Sequence, residues 1–532
     1  MTSLQDIQKV RQEKIELLKK AGMEAYPARV LREISLKDAR QKFTELSITL
    51  PEQISEKQFT VAGRIMAIRG QGAILFAVLD DGSGVSANNN PVEVNATQVG
   101  RLQIVIKKDV MSADLFDLFS SAVDIGDFIS VTGKLYVTKR GEQSILADSW
   151  VMATKSLSPL PDKWHGLQDE DARFRKRYLD FVMNPSMRDL FAKKSLFWQV
   201  TRRELISAGF LEVETPTLEV TTGGAEATPF KTHHNDFDLD VYLRISVGEL
   251  WQKRLMAAGF DRTFEIGRVY RDEGSSPDHL QEFTNMEFYA SWMDYKEGIK
   301  FTENLIKKLA KEVFGKYEFS TRGHSFNLDG EWKVIEYVDT VKEMTGIDVL
   351  TASVEEMKAT LDKLHVKYDG DNKERLTDTL WKYCRKRISG PAWLIHHPKL
   401  VSPLSKSVAG RPELTERVQL ILAGAEVTNG FSELNDPIDQ RSRFELQQKL
   451  IERGDSEAMM PEWDFVEMLE TGMPPTFGFA YGDRLFAFLA DKTGREIQMF
   501  PLMKPLNEEG GTSSEIAGSV SVSTSGSQVK KV

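Results

Sequence analysis

Residues Phe264 to Tyr289, FEIGRVYRDEGSSPDHLQEFTNMEFY, decide how the rest of the chain is read. The first third has the apolar positions of a strand, with Phe264, Ile266, Val269 and Tyr270 around Arg268. Gly274, two serines and Pro277 mark a loop. Phe283 to Tyr289 then reads as a second strand, with Phe283, Met286 and Phe288 as its apolar members. The pattern predicts a hairpin with a long loop and unlike charges on its stems: Arg271, Glu273, His279, Glu282 and Glu287. Packing alone does not need those charges, although a solvated hairpin with surface ion pairs is the alternative. Arg271 is of the type that grips a carboxylate or phosphate through two parallel hydrogen bonds. Glu273, two residues on and on the same side of an extended chain, can accept from an exocyclic amine. Phe283 can stack on a base.

Working outward, TTGGAEATPF upstream offers Gly223 and Gly224 for a tight loop over a ligand, or for a plain turn. The strand YLRIS leads into GELWQKRL, where Glu249 opens a helix; its charge suits the helix dipole as well as a ligand. LFAKKSLFWQVTRRELISAGFLEVETP reads as an amphipathic helix closed by Gly209 and a strand ended by Pro216. Downstream, VQLILAGAEVTNGFSELNDP predicts two strands joined by a turn, with Glu426, Asn429, Phe431 and Glu433 near one another. Carboxylates on an apolar sheet are costly unless they meet a cation or lie at an exposed edge. PPTFGFAYGDRLFAFLA gives a glycine-containing strand turning into an apolar helix. Arg484 falls in that helix's first turn, where a cation opposes the dipole unless it faces an anion.

Ahead of these clusters, five β-rich segments run from Phe59 to about Ala153, with turn signals between them, predicting a five-stranded barrel of the oligonucleotide-binding type. Phe76 sits in its second strand, as a stacking platform or as plain core. The polar loop Ser86–Gly100 looks like an insertion at a turn. Residues 1 to about 50 read as charged helices with apolar positions Leu4, Ile7, Val10, Ile15 and Leu18, their basic side chains solvated or touching RNA. The end, NEEGGTSSEIAGSVSVSTSGSQVKKV, is Gly/Ser-rich and expected to be disordered.

The 532 residues, 41% hydrophobic and 28% charged, are ordinary for a soluble protein of two or three domains. No apolar run is long enough to cross a membrane. The single cysteine, Cys384, excludes an internal disulfide and a cysteine-based zinc cluster, and a cytoplasmic location fits. A net charge of −10 confines any RNA contact to local patches.

The phrases YRDEG, HLQEFT and MEFY resemble motif 2 of the class II aminoacyl-tRNA synthetases, most closely the lysine-specific family, and the resemblance extends from about residue 55 to 505. The segment around 189–216 resembles motif 1, GFAYGDR resembles motif 3, and PLPDKWHGLQDEDARFRKRYLD resembles the family's hinge. The resemblance implies an α+β, multi-domain architecture: an N-terminal helical extension (1–57), an OB-type five-stranded β-barrel that binds the anticodon (58–155), a hinge (156–188), a class II catalytic domain with a mainly antiparallel sheet flanked by helices (189–505), and a tail (506–532).

It also implies roles for residues. Arg271 and Arg484 would be catalytic; Arg271, Glu273, His279, Phe283, Glu426 and Arg484 would hold ATP. Glu249, Glu287, Tyr289, Asn429, Phe431 and Glu433 would bind lysine, and Arg69, Phe76, Gln103 and Glu142 the anticodon. Glu426 would be a Mg2+ ligand. Gln419 stands where the family has a second acidic ligand, motif 3 is one residue shorter with Ala480 in place of a glycine, and Leu75 replaces a serine before Phe76. The implied partners are tRNA(Lys), L-lysine and ATP, in a homodimer formed through the motif 1 region, with no membrane. The alternatives are a lysine ligase acting on a protein, or a non-catalytic RNA-binding paralogue.

Overall fold

Alternating apolar and polar residues between Ile54 and Thr154 build strands whose inner faces close on one another. The computed structural model describes residues 3–85, 99–161, 169–225, 227–272, 274, 276–368, 372–453 and 458–506. The insertion at 86–98, part of the hinge (162–168), Glu273 and the tail from 507 lie outside these. Strands β1 (Ile54–Gln71), β2 (Ile74–Asp80), β3 (Arg101–Lys107), β4 (Phe128–Val137) and β5 (Gln143–Thr154) form a closed barrel in the order β1-β2-β3-β5-β4, with β3 and β5 parallel. That strand order is consistent with the oligonucleotide-binding barrel. Val61, Ala77, Leu79, Ile104, Val131 and Ile145 fill its interior.

The front of the chain departs from the expected pattern in two places. The first strand starts at Ile54 rather than Phe59, because Ile54 pairs with Tyr136 and Gln58 with Lys134 despite the polar composition of ISEKQ. Helices α1 (Leu4–Lys20) and α2 (Leu36–Glu45) add Leu18, Leu36, Ala39 and Phe43 to the barrel's core. The inward stripe of α1 takes in Arg11 rather than Val10, which is exposed. Arg11 donates to the carbonyls of Ile125, Ser156 and Ser158, so this cation serves the barrel rather than a solvated face.

In the hinge, Asp180 is fully buried between Arg173 (3.0 Å) and Arg177 (2.9 Å). Arg177 also donates to the carbonyls of Glu496 and Gln498, so the segment is clamped to the C-terminal region instead of solvated. Asp80 of the barrel accepts two hydrogen bonds from Arg188, at 3.1 and 2.8 Å.

The second half of the chain is built on a ten-stranded sheet. Its path runs β9 (Lys333–Glu336), β10 (Ala392–Pro398), β11 (Arg411–Leu422), β12 (Thr428–Ser432), β13 (Thr476–Gly482), β8 (Glu282–Ser291), β7 (Arg262–Tyr270) and β6 (Leu211–Glu212). Only the outer pairs β9–β10 and β6–β7 of this path are parallel. On one face Phe264, Phe288, Phe477, Phe479 and Tyr481 pack with helices α3 (Ser186–Ser207) and α5 (Tyr295–Phe314) in a single apolar core. Because side chains alternate, the other face is left for the polar residues of the same strands.

Candidate active site

Three neighbouring strands, β12, β13 and β8, set out the site. Their register places Asn285 opposite Gly482, Glu287 opposite Ala480, and Tyr289 opposite Gly478. On the other side Asn429 faces Ala480 and Phe431 faces Gly478. The middle strand thus presents only small residues between two rows of functional side chains, which makes a trough. Its walls enclose a cleft of about 460 Å³ lined by Arg271, His279, Phe283, Glu249, Glu287, Tyr289, Glu426, Asn429, Phe431, Glu433 and Arg484. These residues span more than two hundred positions of sequence, and the sheet gathers them into one place. Glu273 lies outside the described residues.

One end of the cleft is dry and acidic. Glu249, Glu287 and Glu433 are all buried. Glu287 accepts from Val247 N (2.7 Å), Asn285 Nδ2 (3.1 Å) and the Tyr289 hydroxyl (3.2 Å). Burial pushes its carboxyl up to about 7, with the charge of Glu249 adding to the effect. Burial pushes Glu433 up to about 8 despite the nearby Lys253 ammonium. The Tyr289 phenol is likewise raised, by burial and the surrounding carboxylates.

Lys253 lies on helix α4 (Glu249–Ala257), one turn beyond Glu249. Its Nζ is 2.8 Å from Glu249 Oε1 and 2.6 Å from Glu433 Oε2. Burial alone would lower the ammonium's pKa, but the two glutamates hold it above the usual range. Sequence reading missed Lys253, since nothing in GELWQKRL marks one cation as buried. Gly478 was also unmarked: a Cβ there would fall 2.1 Å from Glu433 Oε1 and 2.6 Å from Tyr289 Cε1. At Gly224, with φ +91°, a Cβ would meet Glu249 Oε2 at 2.8 Å. Gly224 of the upstream loop therefore lies against this acidic end, while Gly223 packs on Leu250.

The other end is open and cationic. Arg484 opens the short helix α7 (Asp483–Leu489) and is exposed to the cleft, as is His279, whose Nδ1 is 2.7 Å from Ser276 Oγ. Arg271 lies 5.3 Å from the Phe283 ring centre and donates to the carbonyl of Ile245. Arg417 donates to Asn429 Oδ1 at 2.9 Å, so the Asn429 amide is turned toward this basic end.

The proposed metal wall has a different arrangement. Glu426 accepts from Trp381 Nε1 at 2.5 Å and pairs with Arg385, both on helix α6 (Lys373–Arg385). Gln419 Oε1 is 2.9 Å from His397 Nε2, and its amide donates to Asn429. Burial and the neighbouring Arg484 hold Arg385 down to about 10. With one carboxylate, both of its oxygens engaged, and a neutral amide beside it, this donor set does not fit a divalent cation as arranged. No cluster of three acidic, histidine or cysteine ligands occurs among the described residues.

On the barrel, Arg69 Nη2 donates to Gln103 Oε1 (2.6 Å), Gln103 Nε2 to Ser144 Oγ (2.9 Å), and Ser144 Oγ to the Glu142 carbonyl (3.2 Å). Arg69 lies 5.8 Å from the Phe76 ring centre. Phe76 is half-buried on the outer face with Val105, Tyr136 and Leu146, outside the barrel core. The four predicted anticodon residues therefore fall on one connected patch.

An acidic pocket and a basic opening thus share one cleft on a largely antiparallel sheet, in a chain that also carries a small barrel. A family model described as tRNA synthetases class II (D, K and N) matches residues 169–504, and the chain belongs to that family. Within it, the chain is 39% identical to the lysine--tRNA ligase of Thermotoga maritima over 94% of this chain and 97% of that protein. It is also 39% identical to proteins of the same name from Halalkalibacterium halodurans and Bacillus subtilis, again over 94% of this chain and 97% and 98% of theirs.

Proposed function

We propose that the chain is an ATP-dependent enzyme that attaches L-lysine to tRNA(Lys) through a lysyl-adenylate. The observation that carries this reading is the sorting of charge along one cleft: three buried glutamates and a phenol at one end, arginines at the other. A lysine ε-ammonium fits against Glu433 and Tyr289, and its α-ammonium against Glu249 and the Gly224 loop. An acidic substrate side chain would meet like charge there. A pocket that must pair a buried cation rejects uncharged analogues strongly.

The lysine carboxylate attacks the α-phosphorus of ATP, the bond to the bridging oxygen breaks, and pyrophosphate leaves. A terminal ribose hydroxyl of the tRNA then attacks the lysyl carbonyl and AMP leaves. No side chain forms a covalent bond; positioning and charge stabilisation supply the rate. Arg271 turns from Ile245 to bridge the amino-acid carboxylate and the α-phosphate. Phe283 stacks on adenine, Glu273 accepts from its amine, and His279 and Arg484 hold the outer phosphates.

The barrel face of Phe76, Arg69, Gln103 and Glu142 reads the anticodon, a task that a ligase acting on a protein would not need. Exposed Ile206, Leu211 and Phe260 lie in or next to the edge strand β6 and the start of its neighbour β7 and suit a homodimer contact through the motif 1 region. No helix among the described residues is long and apolar enough to cross a membrane, and the reading places the enzyme in the cytoplasm.

Lysine-dependent ATP–pyrophosphate exchange with the purified chain tests the activity. Exchange that requires lysine supports it, and none under any amino acid would favour a non-catalytic paralogue. Charging of tRNA(Lys) transcripts, lost when the anticodon is altered, separates a tRNA enzyme from a protein ligase.

A further inference from the structure

The acidic end of the cleft already contains a lysine of the chain itself. The Lys253 side chain is 1% exposed. Besides its two glutamates it has the rings of Phe431, Phe465 and Tyr289 around it, at 5.2, 5.7 and 6.0 Å from Nζ to each centroid. A lysine is seldom buried this deeply without a paired charge. Here it holds one oxygen of Glu249 and one of Glu433. Neither Glu433 oxygen has a well-aligned hydrogen bond among the described residues: Oε2 is ion-paired with Lys253, and Oε1 lies beside the Tyr289 ring over Gly478. Glu249 Oε2 lies against Gly224. Glu287, the third acid, is held by a backbone amide, an amide side chain and a phenol, all neutral. Three carboxylates and one ammonium leave two negative charges, and free lysine brings two ammonium groups.

We propose that Lys253 is a positioning residue for amino-acid recognition: it occupies one oxygen each of Glu249 and Glu433, turns the other oxygen of each toward the substrate's two amines, and leaves the pocket two negative charges to meet those two ammonium groups. The proposal rests on the reading of the pocket as lysine-specific. Without the Lys253 ammonium, three carboxylates would crowd one dry site. Protonation would relieve them in the empty pocket, and an entering lysine would have to displace that proton. Glu433 would also lose the contact that fixes its orientation. Both effects weaken lysine and leave ATP, bound at the far end of the cleft, unaffected. A purely structural ion pair would instead disturb the whole site on removal, or nothing.

The test is ATP–pyrophosphate exchange by the full-length chain, with lysine and ATP varied separately, for the native protein, Lys253→Met and Lys253→Arg. Lys253→Met should raise the lysine KM at least about tenfold, as expected when one member of a buried charge cluster is removed, with the ATP KM within about threefold of native. Lys253→Arg, which keeps the charge, should hold the lysine KM within about tenfold and below that of the methionine variant. A lysine KM for Lys253→Met below about tenfold of native, or an ATP KM that rises in step, overturns the proposal. If the methionine variant does not fold, the arginine variant decides: a lysine KM beyond about tenfold overturns it, and one within that limit supports it. Lysine-dependent exchange by the native protein with an unmoved Lys253→Met defeats only this inference. Native exchange indifferent to lysine defeats the reading of the pocket, and this inference with it.

Discussion

The two ends of the cleft are built by opposite rules. At the acidic end the carboxylates are buried and only partly compensated: Glu287 is held by three neutral donors, and Glu249 and Glu433 share the one ammonium of Lys253. At the basic end Arg484 and His279 face the open cleft, Arg484 partly desolvated beside the Phe488 ring, and Arg271 donates to a backbone carbonyl. A buried, pre-arranged charge selects its ligand by the cost of leaving that charge uncompensated. An exposed guanidinium selects weakly, but it can follow a charge that develops during reaction. On the proposed reading, substrate choice and catalytic power are separable in this molecule, and substitutions can be aimed at either.

The largest effect is expected at the junction of the two ends. Arg271→Ala removes the group that would bridge carboxylate and α-phosphate, and saturating exchange rates should fall about a thousandfold. A loss below tenfold in the same assay would move the catalytic role elsewhere.

Next comes Gly478→Ala. Its methyl would press on the Glu433 carboxylate and the Tyr289 ring, and overpacking of about 1–3 kcal/mol translates to a lysine KM roughly five- to 150-fold higher. The ATP KM should stay within about threefold, since the nucleotide end is untouched. Equal rises in both constants would mean that the ends are not independent.

Acidity should separate the ends as well. Burial raises Glu433 to about 8 and Glu287 to about 7, above the ordinary carboxylate range, so both gain protons as pH falls through that window. An ammonium needs the ionised form, so the lysine KM should drop severalfold as pH rises from about 6 to 8.5, with the ATP KM nearly flat. A lysine KM independent of pH would show that these carboxylates are ionised throughout.

The smallest effect on activation should come from the barrel. Phe76→Ala should raise the tRNA KM about tenfold in charging assays, as loss of one stacked base implies, and leave exchange unchanged.

Much of this was legible along the chain because the local pattern is the structure. The hairpin around Arg271, the helix that holds Arg484 in its first turn, and the strand leading into Glu433 each announce themselves by period and by glycine placement. The barrel did so too, apart from the first turn of β1. What was not legible depends on partners far apart in sequence. Nothing near Ala480 says that it will sit between Glu287 and Asn429, because strand register is set by pairing across the sheet. Nothing near Glu426 says that Trp381 and Arg385 will reach it from a helix forty residues away. Buried cations were hidden for the same reason. Arg11, Arg177 and Lys253 lie in helical segments rich in charge, where an inward-facing basic residue has the same local signature as a solvated one.

The claim on which the rest depends is that Glu433 pairs with the substrate's side-chain amine. Glu433→Gln keeps the shape and removes the charge. Measured by pyrophosphate exchange with each substrate varied in turn, it should raise the lysine KM about a hundredfold and leave the ATP KM within about threefold, in line with the loss of one buried charge pair. A lysine KM that stays near native, or an ATP KM that climbs with it, would contradict the account.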